Sequence, residues 1–142
     1  MYLPAVFESH LEFIAQGDYT VAPLIDIIET LQSGGVVKDK TVAITVDDAY
    51  LSVYTQAWPR LKEYGFPFTI FVATDPVDNN LRNYMSWDQI RELLENGVTI
   101  GSQTKSHPHM HRLSPIKVEQ ELTLSNNRFL EEIGQYPQLF AY

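Results

Sequence analysis

The stretch TVAITVDDAY, residues 41–50, decides the fold that the sequence predicts and raises the question of its chemistry. Its first part, residues 41–46, is a short β-branched apolar run, which is typical of a strand buried on both faces of a parallel sheet. The run ends in two adjacent carboxylates, Asp47 and Asp48. Like charges side by side repel each other and desolvate poorly, so the placement is unfavourable unless a cation or a substrate uses it. The alternative is that one aspartate caps the helix that begins near Ala49 and the other is solvated.

Predicted strands and helices alternate along the rest of the chain. Apolar residues recur at helical spacing in segments 4–16, 23–32, 49–65 and 115–133, and between an N-cap at Ser86 and a stop at Gly97. Apolar runs predict strands at 19–21, 41–46, 67–74 and 98–102, with another strand beginning in 138–142. Pro59 predicts a kink in its helix, and segments 75–84 and 103–114 are predicted loops. This alternation favours βαβ units, and therefore one α/β domain with a parallel sheet.

Polar side chains follow the first and third main strands at the same predicted edge of the sheet. The acidic pair ends one strand, and the loop SHPHMH, residues 106–111, which contains His107, His109 and His111, follows the other. Because chemistry in parallel sheets gathers at the carboxyl ends of strands, Asp48 and these histidines favour a mixed carboxylate–imidazole site for a divalent metal. A solvated loop with one capping histidine is the alternative.

Two tryptophans and one further histidine are other residues that could belong to a site. Trp87 borders the active edge at a helix start and is a candidate substrate contact, although a tryptophan there more often packs in a core. Trp58 is interpreted as packing. His10 lies on the apolar face of the first helix and is predicted to be a core histidine with satisfied hydrogen bonds.

Composition excludes several classes of function. The 142 residues contain 10 Lys and Arg against 18 Asp and Glu, so a net charge of −8 argues against binding to nucleic acid or anionic membranes. No cysteine is present, which removes disulfides and thiolate ligands. No apolar run approaches the roughly 20 residues of a membrane span, and residues 1–16 lack the features of a signal peptide. As written the chain would be cytoplasmic, but the sequence leaves its compartment open.

Three short motifs make the sequence recognisable. TVDDAY, residues 45–50, resembles the T-F-D-D-G-Y motif of the NodB-type polysaccharide deacetylases, carbohydrate esterase family 4. GSQTKSHPHM, residues 101–110, resembles that family's second motif, H-[ST]-x-x-H-P, and FAY, residues 140–142, resembles the start of its third. Residues 7–21 also resemble the leading helix and strand of many members. The chain is thus identified as a single NodB-like domain, residues 1–142, that lacks its C-terminal part.

The resemblance implies a partial, distorted (β/α) barrel that does not close, with a metal-dependent hydrolase site at the strand ends. Asp47 would be the general base that activates water, and Asp48 and His107 would bind the metal, with Gln103 in the place of another metal histidine. Zinc is the expected metal, with cobalt or nickel as alternatives. The substrate would be an N- or O-acetylated polysaccharide, and Tyr142 is a predicted substrate contact.

The sequence departs from the family pattern at several points. Gln103 offers a neutral amide where the family has a histidine, which should weaken metal binding; His109 or His111 is an alternative ligand, although Pro108 stiffens that loop. Ala49 replaces a glycine, a change that matters only if this residue needs a positive φ. Because the later motifs would lie beyond residue 142, we expect weak or absent activity.

Two other functions and a mode of assembly remain open at the level of sequence. Gln103 and the missing motifs favour a catalytically inactive carbohydrate-binding or assembly remnant, whereas the intact acidic pair argues against it. An allantoinase-like or cyclic imidase-like amide hydrolase is the third hypothesis for the function. Enzymes of that kind share the fold of the resembled family without needing the same metal ligands. An unclosed barrel leaves a sheet edge exposed, so we also expect a homodimer that pairs these edges. The resemblance also bears on the compartment, because members of that family are often envelope-associated or secreted.

Overall fold

The computed structural model describes residues 4–142. Its α-helices are α1 (Pro4–Gln16), α2 (Leu24–Gln32), α3 (Trp58–Glu63), α4 (Thr74–Asp78), α5 (Trp87–Glu95) and α6 (Pro115–Ile133). Its strands are β1 (Thr20–Val21), β2 (Thr41–Val42), β3 (Ile44–Val46), β4 (Phe68–Val72) and β5 (Thr99–Ser102). A π-helical turn, Val53–Ala57, precedes α3, and a 3-10 turn, Met110–Arg112, precedes α6.

All the strand pairs are parallel, as the alternation predicts. β1 pairs with β2, and β3, β4 and β5 form a second sheet in that order. Beyond α6 the chain returns beside β5, where Ser102 and Phe140 form a parallel bridge and the Ser102 N–H donates to the Leu139 carbonyl at 2.9 Å. The predicted α/β fold with flanking helices is confirmed, and the described residues do not form a closed barrel.

The strand predicted at 41–46 is wrong in two respects. It is two short strands on either side of Ala43, because residues 41–42 pair with β1 whereas residues 44–46 pair with β4. It is also only half-buried, since β3 has a strand on one side only. The fully buried strand is β4, which lies between two neighbours and has all five residues buried.

The helical segments differ from the prediction where local chemistry interrupts them. The predicted helix 49–65 is divided into the π-helical turn and α3, and the Trp58 N–H donates to the Val53 carbonyl five residues earlier. Pro59, the second residue of α3, has no N–H to continue an α-helical ladder from the preceding turn. The predicted loop 75–84 begins with the short helix α4, and His10 is exposed, contrary to its prediction as a core residue.

One hydrophobic core supports the edge of the sheet where the polar loops lie. Phe129 of α6 and Ile70 of β4 are both fully buried and belong to the same cluster. Trp87 packs edge-on against Phe129, with ring centroids 5.8 Å apart, and is 8% exposed. Ser86 caps α5 through a reciprocal capping box with Gln89, as the sequence predicts. Helices α5 and α6 are thereby fixed against the sheet.

Candidate active site

The first element of the site is the acidic turn, residues 47–49, at the carboxyl end of β3. Asp48 and Ala49 both have left-handed backbone conformations, with φ of 70° and 50°. Ala49 is completely buried, and its carbonyl accepts a hydrogen bond of 2.9 Å from the Met85 N–H. The family glycine at this position is therefore replaced where a positive φ is required. Unfavourable backbone conformations of this kind concentrate at functional sites.

The Asp47 side chain lies at the surface of the acidic turn. Asp47 is exposed, and among residues 4–142 its side chain has no hydrogen-bond or ion-pair partner. The carboxylate is therefore accessible to solvent and to a ligand.

The second element is the histidine loop, residues 103–107, at the carboxyl end of β5. Thr104 and His107 are also left-handed, with φ of 67° and 54°. Thr104 is 1% exposed, and its Oγ1 accepts a hydrogen bond of 3.1 Å from the His107 N–H. A β-branched residue seldom adopts this conformation, so the loop is held in place by its surroundings. His107 itself is exposed.

A side-chain hydrogen bond joins the two loops. The Oε1 atom of Gln103 accepts a hydrogen bond of 3.1 Å from the backbone N–H of Asp48. Gln103 is 3% exposed and Asp48 is half-buried, so this contact is partly shielded from water. Strands β3 and β5 are separated by β4 in the sheet, and the contact therefore requires the sheet to curve. The acidic turn and the histidine loop meet at one edge, as we predicted.

Glu121 of α6 holds the backbone of the histidine loop. Its carboxylate accepts hydrogen bonds from the backbone N–H groups of Lys105 and Ser106, at 3.1 and 2.8 Å, and from the Ser106 hydroxyl at 2.7 Å. Burial raises the pKa of Glu121, but hydrogen bonds donated by Ser106, Thr104 and Lys105 outweigh it and lower the pKa overall. Sequence reasoning missed Glu121, because no spacing distinguishes it from the other glutamates of its helix.

Two tyrosines lie beside the acidic turn. The rings of Tyr50 and Tyr84 are 4.8 Å apart between centroids and inclined by 39°, and the Tyr84 hydroxyl donates to that of Tyr50 at 3.5 Å. The hydrogen bond with Tyr50, burial, and the charges of Tyr50 and Asp48 raise the pKa of Tyr84 to about 12. Sequence reasoning also missed Tyr84, because this residue lies in segment 75–84, which the sequence predicts only as a loop rich in turn-forming residues.

The other predicted site residues lie in different surroundings. The Trp87 indole N–H donates to Asp78 at 2.8 Å, so this largely buried side chain offers little surface to a substrate. Tyr142 is 86% exposed and stacks on Phe140. His109 and His111 lie in exposed chain, with ring centroids 5.9 Å apart.

The donor set at this edge does not fit the metal site that the resemblance implies. Within residues 4–142, no three His, Cys, Asp or Glu side chains form a group that could hold a metal ion. Asp48 and His107 are the two candidate ligands. The third position is the amide of Gln103, a neutral donor whose oxygen already accepts the Asp48 N–H.

Comparisons with known proteins agree with this architecture. The model of the polysaccharide deacetylase family matches residues 34–142. YxkH of Bacillus subtilis (strain 168), whose name assigns it to the polysaccharide deacetylases, is 26% identical over 136 residues, which are 96% of this chain and 48% of YxkH. A poly-beta-1,6-N-acetyl-D-glucosamine N-deacetylase of Staphylococcus aureus (strain MRSA252) is 26% identical over 133 residues, which are 91% of this chain and 44% of that protein.

A solved structure shows the same fold. The deacetylase PplD of Streptococcus pyogenes, solved in complex with acetate, superposes with a TM-score of 0.89 at 23% identity, over 98% of this chain and 62% of that one. The chain spans about half the length of the curated relatives it matches. In the part of the chain that the structure describes, no helix is both long enough and apolar enough to cross a membrane. The family generally depends on a divalent metal. On the match over residues 34–142, the chain belongs to the polysaccharide deacetylase family.

Proposed function

We propose that this chain acts on an N-acetylated polysaccharide and that its capacity to remove acetyl groups is limited by the residue at position 103. The observation that carries the proposal is the hydrogen bond between Gln103 and the Asp48 N–H, which brings the acidic turn and the histidine loop together. Membership of the polysaccharide deacetylase family supports the substrate class. The relative named as an N-deacetylase of poly-beta-1,6-N-acetyl-D-glucosamine makes an N-acetylglucosamine polymer the first substrate to test.

In this proposal, Asp47 is the general base. Hydrolysis of an acetamide adds water to the carbonyl carbon and yields acetate and a free amine, so a base must accept a proton from the attacking water. The exposed carboxylate of Asp47 has no partner within the described residues that would compete for that proton. Its neighbour Asp48 is held through the backbone by Gln103, and Ala49 is held by Met85, so the turn has a defined position.

Position 103 explains why we expect weak turnover. An amide lacks the basicity of imidazole, and here its oxygen is already hydrogen-bonded, so Gln103 is a poor third metal ligand. With only Asp48 and His107 left as ligands, metal affinity should be low. A histidine at position 103, directly after β5, would supply a nitrogen ligand in place of the amide oxygen that now accepts the Asp48 N–H.

The test is acetate release from short N-acetylglucosamine oligomers, β-1,6-linked or derived from chitin, with and without added Zn²⁺ or Co²⁺. We expect little release by the wild type and a clear gain in Gln103→His, with tighter Zn²⁺ binding by calorimetry. Adding Asp47→Asn to that variant should abolish the gain. If Gln103→His binds Zn²⁺ no better than the wild type, our interpretation of position 103 is wrong. If neither protein binds or cleaves any acetylated oligomer, the proposed function is wrong.

A second candidate function is carbohydrate binding without catalysis. The observation that favours it is the lack of any three-residue group able to hold a metal within residues 4–142. Binding of acetylated oligomers by the wild type, combined with no release of acetate even after Gln103→His, would support this second function over the first.

A further inference from the structure

The pair of Tyr50 and Tyr84 is an exposed aromatic surface next to the acidic turn. Tyr50 follows Asp48 by two residues and is 37% exposed, while Tyr84 is partly buried behind it. Their hydroxyl groups are 3.5 Å apart, and their rings are tilted by 39°. The two rings therefore contact each other, and part of Tyr50 remains accessible beside the acidic pair.

The ring pair is not needed to attach the acidic turn to the segment around Tyr84. The backbone already makes that attachment, because Leu51 N–H donates to the Asn83 carbonyl at 2.7 Å and Met85 N–H donates to the Ala49 carbonyl at 2.9 Å. An antiparallel bridge between Tyr50 and Tyr84 lies between these two bonds. An exposed ring at this point is thus left available for a ligand.

The surroundings of the ring pair are suited to a sugar. An aromatic face carries negative charge density, which attracts the C–H groups on the flat side of a pyranose ring, and a tyrosine hydroxyl can bond to sugar hydroxyls. Arg82 and Asn83 directly precede Tyr84 and are exposed. Neither side chain has a hydrogen-bond or ion-pair partner in residues 4–142, so both offer free donors at the rim of the aromatic surface.

We propose that the Tyr50–Tyr84 pair is a stacking platform for one sugar ring of the polysaccharide, next to the ring that carries the reacting acetyl group. This inference rests on the proposed function, since it specifies how the same site holds its substrate. Tyr50 supplies the stacking face, and Tyr84 fixes the orientation of that face. Both are positioning residues, and neither takes part in breaking the bond.

The experiment measures binding of short N-acetylglucosamine oligomers to the full chain by calorimetry and NMR, with a chelator present to remove any effect of metal. Tyr50→Leu keeps apolar bulk but loses the aromatic face, whereas Tyr50→Phe keeps the face. Tyr84→Leu serves as the second variant if Tyr50→Leu does not fold. Tyr136→Leu is the matched control, because Tyr136 is 56% exposed and lies near Gly97 and Val98, at the opposite end of β5.

We expect Tyr50→Leu to weaken binding by about tenfold, the scale of one stacking contact, while Tyr50→Phe and Tyr136→Leu stay within about twofold of the wild type. Upfield ring-current shifts of sugar protons should appear with the wild type and disappear with Tyr50→Leu; a purely structural role for Tyr50 would not change them in this way. Unchanged affinity in a folded Tyr50→Leu overturns the platform and leaves the proposed function intact. Failure of the wild type to bind any oligomer overturns both.

Discussion

The two loops at the carboxyl edge of the sheet are stabilised in different ways. The acidic turn is held through its backbone, by hydrogen bonds at Asp48 and Ala49, and the Asp47 carboxylate has no partner within residues 4–142. The histidine loop is held by side chains from two helices, since Glu121 binds its N–H groups and Asp75 pairs with Lys105 at 2.6 Å. The carboxylates of the acidic turn are thus free for chemistry, whereas those around the histidine loop are used for structure.

Because of this difference, substitutions in the acidic turn and substitutions around the histidine loop should affect different properties, activity in the first case and stability in the second. Replacing a carboxylate of the acidic turn should change catalysis with little effect on folding. Replacing Glu121 should destabilise the protein and displace His107 indirectly. Each of the following predictions tests one side of this contrast.

The largest effect is expected at Asp47. In the Gln103→His background, Asp47→Asn should lower the rate of acetate release by about 10²–10⁴-fold, the usual contribution of a general base. The free energy of unfolding should change by less than about 0.5 kcal/mol, because the side chain is exposed and makes no contact that the substitution would break. Acetate assays and urea unfolding measure the two quantities. If Asp47→Asn lost as much stability as Glu121→Ala, the proposed difference between the acidic turn and the histidine loop would be wrong.

Glu121→Ala should lower the free energy of unfolding by about 2 kcal/mol. This is below the sum of three charge-assisted hydrogen bonds, because the carboxylate is partly solvated. Glu119→Ala is the matched control on the same helix, and its exposed side chain should cost less than about 0.5 kcal/mol. Equal losses in the two variants would show that Glu121 does not hold the loop.

The pH dependence of stability gives a second test of Glu121. Its pKa is lowered in the folded protein from the usual 4.5, so its stabilising contribution is complete above pH 4.5 and is lost as the pH falls through the folded pKa. The difference in unfolding free energy between the wild type and Glu121→Gln should therefore be constant at neutral pH and shrink below about pH 4.5. A difference that persists unchanged at acidic pH would exclude this linkage.

Gln103→Ala should lower the free energy of unfolding by about 1 kcal/mol, because the N–H of the half-buried Asp48 loses its acceptor. Gln103→Glu keeps an oxygen at the same reach and should lose less when it is measured at a pH where that carboxyl is neutral. Urea denaturation of the three proteins provides the comparison. Full stability in Gln103→Ala would mean that the two loops are joined by other contacts.

The smallest effect is expected at Ala49. Glycine removes the penalty of the left-handed conformation but loses more chain entropy and one buried methyl group, so Ala49→Gly should stabilise the protein by about 0.5 kcal/mol. The same substitution at Ala57, in the π-helical turn, should destabilise by about 1 kcal/mol. Thermal unfolding of both variants measures the opposite signs, and a destabilised Ala49→Gly would show that the methyl group matters more than the backbone.

The sequence predicts best those parts of the fold that local chemistry determines. Helix α6 has the bounds that its pattern predicts, because Pro115 starts it and Gly134 ends it in a left-handed cap. The division of residues 41–46 could not be predicted, since it depends on which distant strands pair with each half. The same limit applies to Glu121, whose partners lie in a loop brought to it only by the folded chain.

The sequence offers candidate residues for the site, whose roles stay predictions, but it does not give the contacts between them. The motif identified Asp47, Asp48, Gln103 and His107 and implied that they lie at one edge. From the motif alone, Gln103 is a substitution that removes a metal ligand. In the structure, Gln103 also accepts a hydrogen bond from the Asp48 N–H. The sequence predicts strain at Ala49 only if this residue has a positive φ, and the identity of the residue does not give that angle. In the structure the φ of Ala49 is 50°.

The π-helical turn at Val53–Ala57 lies between the acidic pair and Pro59, and it sets the number of residues that separate them. A π-helical turn contains one residue more than the α-helical turn it replaces. Deleting one residue from this segment would restore ordinary helical register and rotate its first turn by about 100° around the helix axis relative to α3. Because β3 holds the acidic turn beside β4, the acidic turn and α3 could not then both keep their present places. In this chain, the number of residues between the acidic pair and Pro59 is therefore a structural requirement in its own right.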